Sequence, residues 1–186
     1  MHYSPNGKTT SVSVMGKEDK NITVTRVTGD KLQYAELLLL ADESMAMIGR
    51  YLDRGEMYVL RDGGQTCTVA VVTDEGGGLC ELKNLATRPD RQRCGYGRRM
   101  IEFLAEHLRG RFGEMTVGTG EVPGTLRFYR NCGFTPSHRV KDFFTDNYPA
   151  PIIEEGILLR DMVYLRRRLQ PSQDTAKATV AENTEK

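Results

Sequence analysis

"RPDRQRCGYGRRM", residues 88–100, is the stretch that decides the fold, because it lies between a strand-like segment and an amphipathic one. It combines two closely spaced glycines, Gly95 and Gly97, with several arginines. A helix start offers N–H groups without intrahelical partners and about half a positive charge, and glycines let several amides converge on one anion. The stretch therefore predicts a phosphate-binding loop that leads into a helix. The alternative is a tight turn whose arginines form a solvated face.

Other phosphate-binding motifs do not fit this loop. The dinucleotide fingerprint G-x-G-x-x-G would need a third glycine where the chain has Met100. The chain also lacks the G-x-x-x-x-G-K-[ST] run of nucleoside triphosphate sites. Both classes of nucleotide site are therefore disfavoured.

The residues before the loop predict a strand, a helical region and a meander. Residues 22–27 are rich in β-branched side chains, and Asp30 is a candidate cap for the helix or pair of helices that follows. Glycine-containing turns at residues 62–64 and 74–78 then separate three strand-like runs. Short turns of this kind predict antiparallel pairing.

The residues after the loop alternate between helix and strand. Five apolar residues recur at helical spacing: Met100, Ile101, Leu104, Ala105 and Leu108. "EMTVGTG" predicts a strand, "TLRFYRNCGF" predicts a short helix that ends at Gly133, and Phe134 begins a further strand. "GILLRDMVYLRRRL" predicts a last strand that closes the sheet. The whole order predicts an α/β fold with a mixed sheet and helices on both faces.

Length and charge predict one domain without a strong overall electrostatic field. The 186 residues suffice for one core, and the polar segments 1–20 and 171–186 are expected to be disordered tails around a domain at 21–170. The formal net charge is +1, so neither nucleic acid nor an anionic membrane is an expected partner.

The cysteines predict reduced thiols. Four cysteines occur without a C-x-x-C pair: Cys67, Cys80, Cys94 and Cys132. The first residues lack an apolar signal segment, so a cytoplasmic location is expected, with two disulfide bridges as the alternative. The three histidines are too dispersed in sequence to predict a metal site.

Two motifs resemble those of the GNAT superfamily of N-acetyltransferases. "LKNLATRPDRQRCGYGRRMIEFLAEHL", residues 82–108, resembles its acetyl-CoA-binding motif, with the signature [QR]-x-x-G-x-[GA] between a strand and a helix. "LRFYRNCGF", residues 126–134, resembles its downstream "FY…GF" segment. "FFTDNYPAPIIEEGILLRDMVYL", residues 143–165, is similar to a C-terminal segment in a subgroup of bacterial members. The resemblance covers residues 21–169 and implies the GNAT fold, with a central, mostly antiparallel sheet.

The resemblance implies acetyl-CoA as the donor, held mainly by backbone groups. The loop positions that carry over to the pyrophosphate are Gln92, Arg93, Cys94, Gly95, Tyr96, Gly97 and Arg98. In the family, the preceding strand hydrogen-bonds pantetheine as an added strand would, which here involves Leu85, Ala86 and Thr87. No metal is implied.

The implied reaction is direct attack of a neutral amine on the thioester in a ternary complex. Deprotonating a lysine-like amine of pKa about 10.4 at pH 7 costs about 4.6 kcal/mol, and Glu81 is the candidate base. The alternative for Glu81 is an ion pair with Lys83 or another basic residue. Tyr129 matches the family tyrosine that faces the CoA sulfur, and its alternative role is a core tyrosine beside Phe128.

The chain departs from the family pattern in one place. Many members have an asparagine after the fifth strand that contacts the cofactor, whereas this chain has "TGEVPGTLRFY" there, and Asn131 comes too late. Glu121 in this segment is a candidate contact for a cationic substrate.

The sequence thus predicts an N-acetyltransferase that acts on a primary amine of a small molecule or peptide. A non-catalytic GNAT-fold module that senses CoA or a small ligand is the alternative. Residues 37–55 and 142–155 are expected to shape acceptor specificity, and a homodimer is compatible with the pattern.

Overall fold

The computed structural model describes residues 21–169 of the chain, so the expected tails and Gln170 lie outside the described residues. The strands are β1 (Ile22–Arg26), β2 (Glu56–Asp62), β3 (Gln65–Gly76), β4 (Leu79–Thr87), β5 (Glu114–Gly120), β6 (Thr135–Val140), β7 (Ile153–Glu154), β8 (Ile157–Leu158) and β9 (Met162–Arg168). The α-helices are α1 (Ala35–Leu38), α2 (Met45–Leu52), α3 (Tyr96–Leu108), α4 (Pro123–Asn131) and α5 (Phe143–Asn147). Short 3-10 turns span Leu32–Tyr34 and Pro89–Arg91.

Seven strands form a mixed sheet in the order β1-β2-β3-β4-β5-β9-β6. The pairs β1–β2, β2–β3, β5–β9 and β6–β9 are antiparallel, and β4–β5 is parallel. The predicted mixed, mostly antiparallel sheet is therefore confirmed. β7 and β8 form a separate two-stranded hairpin.

Two predictions about the C-terminal third were wrong. The acids and aromatics of "DFFTDNY", residues 142–148, predict a loop. Phe143–Asn147 is instead helix α5, in part because buried Phe144 joins Val122 and Leu159 in an apolar cluster. The run "GILLRDMVYLRRRL" is divided between β8 and β9, and β9 lies between β5 and β6 rather than at the edge. Period-2 patterns predict strands but carry no information about the order of strands in a sheet.

The described chain comprises two compact units. Unit 1 contains residues 21–73 and 83–103. Its core packs α1 and α2 against β2, β3 and the end of β4, with these buried residues: Leu38, Ile48, Tyr51, Leu52, Met57, Val59, Val69, Val71 and Ala86. Ser44 caps α2 by accepting from the Met47 N–H, and the Lys31 ammonium donates to the carbonyls of Leu52 and Gly55 at its other end. The predicted helical region is thus two short helices.

Unit 2 contains residues 74–82 and 104–169. β5 supplies its buried Met115 and Val117. α4 is followed by Cys132 and then by Gly133, whose φ of +81° is the left-handed conformation often found just after a helix. Parallel pairing of β4 with β5 starts at Leu79↔Glu114 and stops at Glu81↔Thr116. The rest of β4 continues beyond that ladder.

Candidate active site

The loop before α3 in unit 1 has the backbone shape of an anion site. Arg93 and Gly95 have φ values of +59° and +84°, and α3 begins at the next residue, Tyr96. The Arg99 N–H donates to the Gly95 carbonyl at 3.0 Å, so the helix ladder is under way by Arg99. The first N–H groups of a helix have no intrahelical partner, and a left-handed residue followed by a helical one makes a concave arrangement of amides. This loop can therefore surround an anion with backbone donors.

The left-handed backbone conformation of Arg93 is energetically unfavourable for a residue other than glycine. A non-glycine residue in this region is strained by about 1–2 kcal/mol, whereas Gly95 bears no such penalty. Strained backbone of this kind concentrates at binding sites. The sequence motif identified the glycines but not the strain at Arg93.

Side chains hold the loop in place from both ends. Arg88 makes two hydrogen bonds to Asp90, at 3.0 and 3.1 Å, and Gln92 donates to the Thr87 carbonyl at 3.3 Å. Arg91 donates to Gln65 at 2.8 Å. One of the arginines expected to attract an anion therefore already forms a hydrogen bond within the protein.

Tyr96 anchors the start of α3. Its side chain is buried, and its hydroxyl donates to Asp62 at the β2–β3 turn. That hydrogen bond raises the pKa of Tyr96. Sequence reasoning had placed Tyr96 in the loop for its amide alone, because the contact with Asp62 joins residues far apart in the chain.

The end of β4 leads directly into the loop. Ala86 is buried, the hydroxyls of Thr87 and Thr68 lie 2.9 Å apart, and the Arg88 N–H donates to the Cys67 carbonyl at 2.9 Å. Because the β5 ladder stops at Glu81, residues 85–87 lie beyond its last pair. An extended segment at the end of a ladder can accept another extended chain through its backbone groups.

Asn84 connects β4 to the helical region of unit 1. Its amide nitrogen donates to the Leu38 carbonyl at 3.0 Å and to the Tyr51 hydroxyl at 3.1 Å. Its carbonyl oxygen is the one fully enclosed side-chain polar atom among residues 21–169 that lacks a hydrogen-bond partner. Sequence reasoning did not single out Asn84, since a polar residue in a strand carries no local signal of its partners.

Glu81 in unit 2 is paired with a tyrosine. Its side chain is only 9% exposed, and the Tyr164 hydroxyl donates a hydrogen bond to its carboxylate. Burial first, and then the charge and hydrogen bond of Glu81, raise the pKa of Tyr164 to about 12. Sequence reasoning considered only basic partners for Glu81 and missed Tyr164.

A glycine makes the Glu81–Tyr164 contact possible. Gly118 of β5 lies opposite Tyr164 of β9, and a Cβ at Gly118 would come within 2.9 Å of the Tyr164 ring carbon Cζ. The ring of His138 stacks on Tyr164 at 4.5 Å with an interplanar angle of 6°. The Tyr164 ring thus packs against Gly118 and His138, and its hydroxyl donates to Glu81.

Tyr129 lies on α4 among aromatic rings. The Phe128 and Phe134 rings meet it edge-on, with centroids at 5.1 and 5.6 Å. Burial raises the pKa of Tyr129, and the nearby Cys132 and Glu154 add to the rise. Within residues 21–169 the structure shows ring contacts for Tyr129 and no hydrogen bond from its hydroxyl. A buried phenol with an uncommitted donor can serve a ligand.

The four cysteines differ in their exposure. Cys94 is exposed, whereas Cys67, Cys80 and Cys132 are buried. In the part of the chain that the structure describes, no group of three or more His, Cys, Asp or Glu side chains is arranged to hold a metal ion. Residues 21–169 contain no helix with the length and apolar character needed to cross a bilayer.

Comparison with known proteins assigns this geometry to a family. Residues 53–136 match the family model of the acetyltransferase (GNAT) domain. The uncharacterized N-acetyltransferase YvbK of Bacillus subtilis is 33% identical over 154 residues, which cover 81% of this chain and 97% of that protein. The chain belongs to the GNAT superfamily. It is accordingly an acyltransferase.

Two solved GNAT structures show what related folds bind. An acetyltransferase from Elizabethkingia anophelis with acetyl-CoA bound is 32% identical, with a TM-score of 0.75 over 80% of this chain and 99% of that one. A Bacillus subtilis acetyltransferase in complex with CoA is 30% identical, with a TM-score of 0.74 over 79% of this chain and 98% of that one. The first of these relatives is bound to acetyl-CoA and the second to CoA.

Proposed function

We propose that this GNAT protein transfers the acetyl group of acetyl-CoA to a primary amine of a small molecule or peptide, by direct attack in a ternary complex. The observation that carries the proposal is the loop before α3, where Arg93 and Gly95 adopt left-handed backbone conformations directly before the helix start, a conformation that favours a concave group of amides. The ligands of the two GNAT relatives support acetyl-CoA as the donor. We also propose a cytoplasmic location, since acetyl-CoA is an intracellular metabolite.

The donor is bound mainly by backbone groups in this proposal. The pyrophosphate accepts hydrogen bonds from the amides of the loop, residues 92–98, and benefits from the positive end of α3. Pantetheine adds to the end of β4 by pairing with Leu85, Ala86 and Thr87. Because amides do this work, side-chain identity matters most at Gly95 and Gly97.

Glu81 and Tyr129 assist the two events of the reaction that depend on a proton. These are the deprotonation of the amine and the departure of the CoA thiolate. The amine nitrogen forms a bond to the thioester carbonyl carbon, loses its proton to Glu81 directly or through water, and the C–S bond breaks to release CoA thiolate. Because burial raises the pKa of Tyr129, its hydroxyl stays protonated and stabilises the thiolate as a hydrogen-bond donor rather than as an acid.

Calorimetric titration with acetyl-CoA tests the donor site. Wild type should bind, and Gly97→Trp should not, because its side chain blocks the approach of the pyrophosphate. Gly110→Trp is the matched control, since a Cβ at Gly110 meets no atom within 4 Å. Loss of binding in both variants, or in neither, would refute the assignment of the loop.

Thiol release from acetyl-CoA in the presence of amines tests the catalytic role. Tyr129→Phe should lower kcat about 10- to 100-fold, the effect of one hydrogen bond to a charged group. Tyr58→Phe is the control, because it also removes a hydroxyl from a buried tyrosine, one that donates to Glu56. Donor binding without turnover on any amine would favour a non-catalytic CoA-binding module instead.

A further inference from the structure

Unit 2 contains a cavity of about 500 Å³ that takes no part in the donor binding and proton transfer proposed for the reaction. It is lined by Glu121, just after β5, and by residues 157–161, which run from β8 to the residue before β9. The end of β6 and the residues after it add Arg139, Lys141 and Asp142. Glu121 lies two residues before Pro123, where α4 begins. The cavity therefore adjoins the start of the helix that carries Tyr129.

One group of charged side chains in the cavity lining has an excess of negative charge. Arg139 donates to Glu121 at 2.7 Å and to Asp161 at 3.0 Å, so one cation stands against two carboxylates. The hydrogen bond from Arg139 lowers the pKa of Glu121. A backbone N–H first, and then Arg139, lower the pKa of Asp161. Both carboxylates are ionised at neutral pH, which leaves this group with a net charge of −1.

A second, adjoining group of charged side chains has an excess of positive charge. Asp142 accepts a hydrogen bond from Arg160 at 2.9 Å and has the Lys141 ammonium at 3.9 Å. Two cations against one carboxylate leave a net charge of +1. The Asp142 N–H donates to Asp161 at 2.9 Å, so the two groups are fixed next to each other.

The hairpin supplies an apolar wall to the same cavity. Ile157 and Leu158 are 37% and 53% exposed, although both line the cavity. Exposed aliphatic side chains beside charged groups are typical of a ligand site, where apolar walls bind and a few polar groups orient.

We propose that this cavity binds an acetyl acceptor that carries both an amine and a carboxylate, such as an amino acid or a short peptide. The inference rests on the proposed function and names the acceptor class. The amine enters as an ammonium against Glu121 and Asp161 and loses its proton before it attacks the thioester. The carboxylate lies against Arg160 and Lys141, and an apolar side chain against Ile157 and Leu158. A polyamine would be repelled by Lys141 and Arg160. An anion without an amine would be repelled by Glu121 and Asp161.

Calorimetry with a matched pair of dipeptides tests the inference. Leucylglycine and leucylglycinamide share the same amine and side chain and differ in the carboxylate. Wild type saturated with CoA should bind the acid at least about tenfold more tightly than the amide, as expected for a charge-assisted hydrogen bond. Equal affinities, or no binding of either peptide, would overturn the inference.

Two variants test which side chains bind the carboxylate and the amine of the peptide. Arg160→Gln should abolish the preference for the acid, and Glu121→Gln should weaken both peptides by a similar factor. Arg166→Gln is the control, because this exposed arginine pairs with Glu114 and does not line the cavity. An unchanged preference in Arg160→Gln would contradict the assignment. Arg160 is 66% exposed, so its replacement should leave the fold intact.

Failure of this inference is distinguishable from failure of the proposed function. If the acid is preferred but no thiol is released from acetyl-CoA, the cavity assignment stands and transfer fails. If other amines are acetylated while leucylglycine does not bind, transfer stands and the acceptor class is wrong.

Discussion

Replacing Gly118 by alanine should disturb the tyrosine that holds Glu81. The added Cβ would come within 2.6 Å of the Met162 sulfur and within 2.9 and 3.1 Å of two ring carbons of Tyr164. The methionine can rotate away because its side chain is flexible. The tyrosine ring has only two torsions, so it must shift as a whole and draw its hydroxyl away from the carboxylate.

The size of the effect follows from these contacts. Overpacking in a well-packed region costs about 1–3 kcal/mol, whereas alanine in a strand interior recovers about 0.5–1 kcal/mol of backbone entropy relative to glycine. The net expected loss for Gly118→Ala is about 0–2.5 kcal/mol of unfolding free energy, centred on about 1.3 kcal/mol. For a chain of this size the central value corresponds to a decrease in Tm of roughly 3–5 °C.

Two measurements check this expectation. Urea unfolding gives the loss of stability, with Gly110→Ala as the control because a Cβ there meets no atom within 4 Å. Alkaline titration followed by tyrosine absorbance, with Tyr164→Phe to assign the signal, gives the pKa of Tyr164. It should fall from about 12 toward 10 in Gly118→Ala. Unchanged stability together with an unchanged tyrosine titration would refute the reasoning.

Four further outcomes are expected. Gly49→Ala should raise the unfolding free energy by about 0.8–1 kcal/mol in urea, because Gly49 is exposed in α2 and its Cβ would meet no atom; a loss would contradict this. Arg93→Gly should stabilise the fold by up to about 1 kcal/mol while acetyl-CoA affinity stays within about threefold, and a collapse of affinity would show that the side chain, not the amide, binds the donor. Iodoacetamide should modify Cys94 fastest, and acetyl-CoA should slow that reaction as read by mass spectrometry, whereas no protection would remove Cys94 from the donor site. Asp161 has a pKa lowered by the Asp142 N–H and then by Arg139, so its contribution to stability is present above its unfolded pKa of about 3.9 and is lost as pH falls through the folded value. Asp161→Asn should flatten this part of the acid-unfolding curve, and an unchanged curve would contradict the contribution of these two hydrogen bonds.

The fold was predictable from sequence wherever the signal was local. Apolar residues at helical spacing marked α3, glycines at residues 62–64 and 74–78 marked the meander, and Gly95 marked the loop before the helix. Each of these features depends on φ, ψ and side-chain periodicity within a few residues. The helix at residues 143–147 was missed because Phe144 is buried by partners distant in sequence.

The candidate site was predictable only in part for the same reason. The loop motif and the positions of Glu81 and Tyr129 follow from the order of residues along the chain. Their partners do not: Tyr164 reaches Glu81 because β9 pairs with β5 in a register that sets Tyr164 opposite Gly118. A shift of one residue in that register would turn Tyr164 to the other face of the sheet.

The sequence by itself therefore determined the family motifs, the order of elements as far as β6 and the backbone chemistry of the loop. Only the tertiary structure decided the hydrogen bond between Tyr164 and Glu81 and the polarised cavity around Arg139 and Asp142. The physical reason is that backbone conformation is set by neighbours in the chain, whereas strand register and charge pairing are set by packing between segments far apart in it.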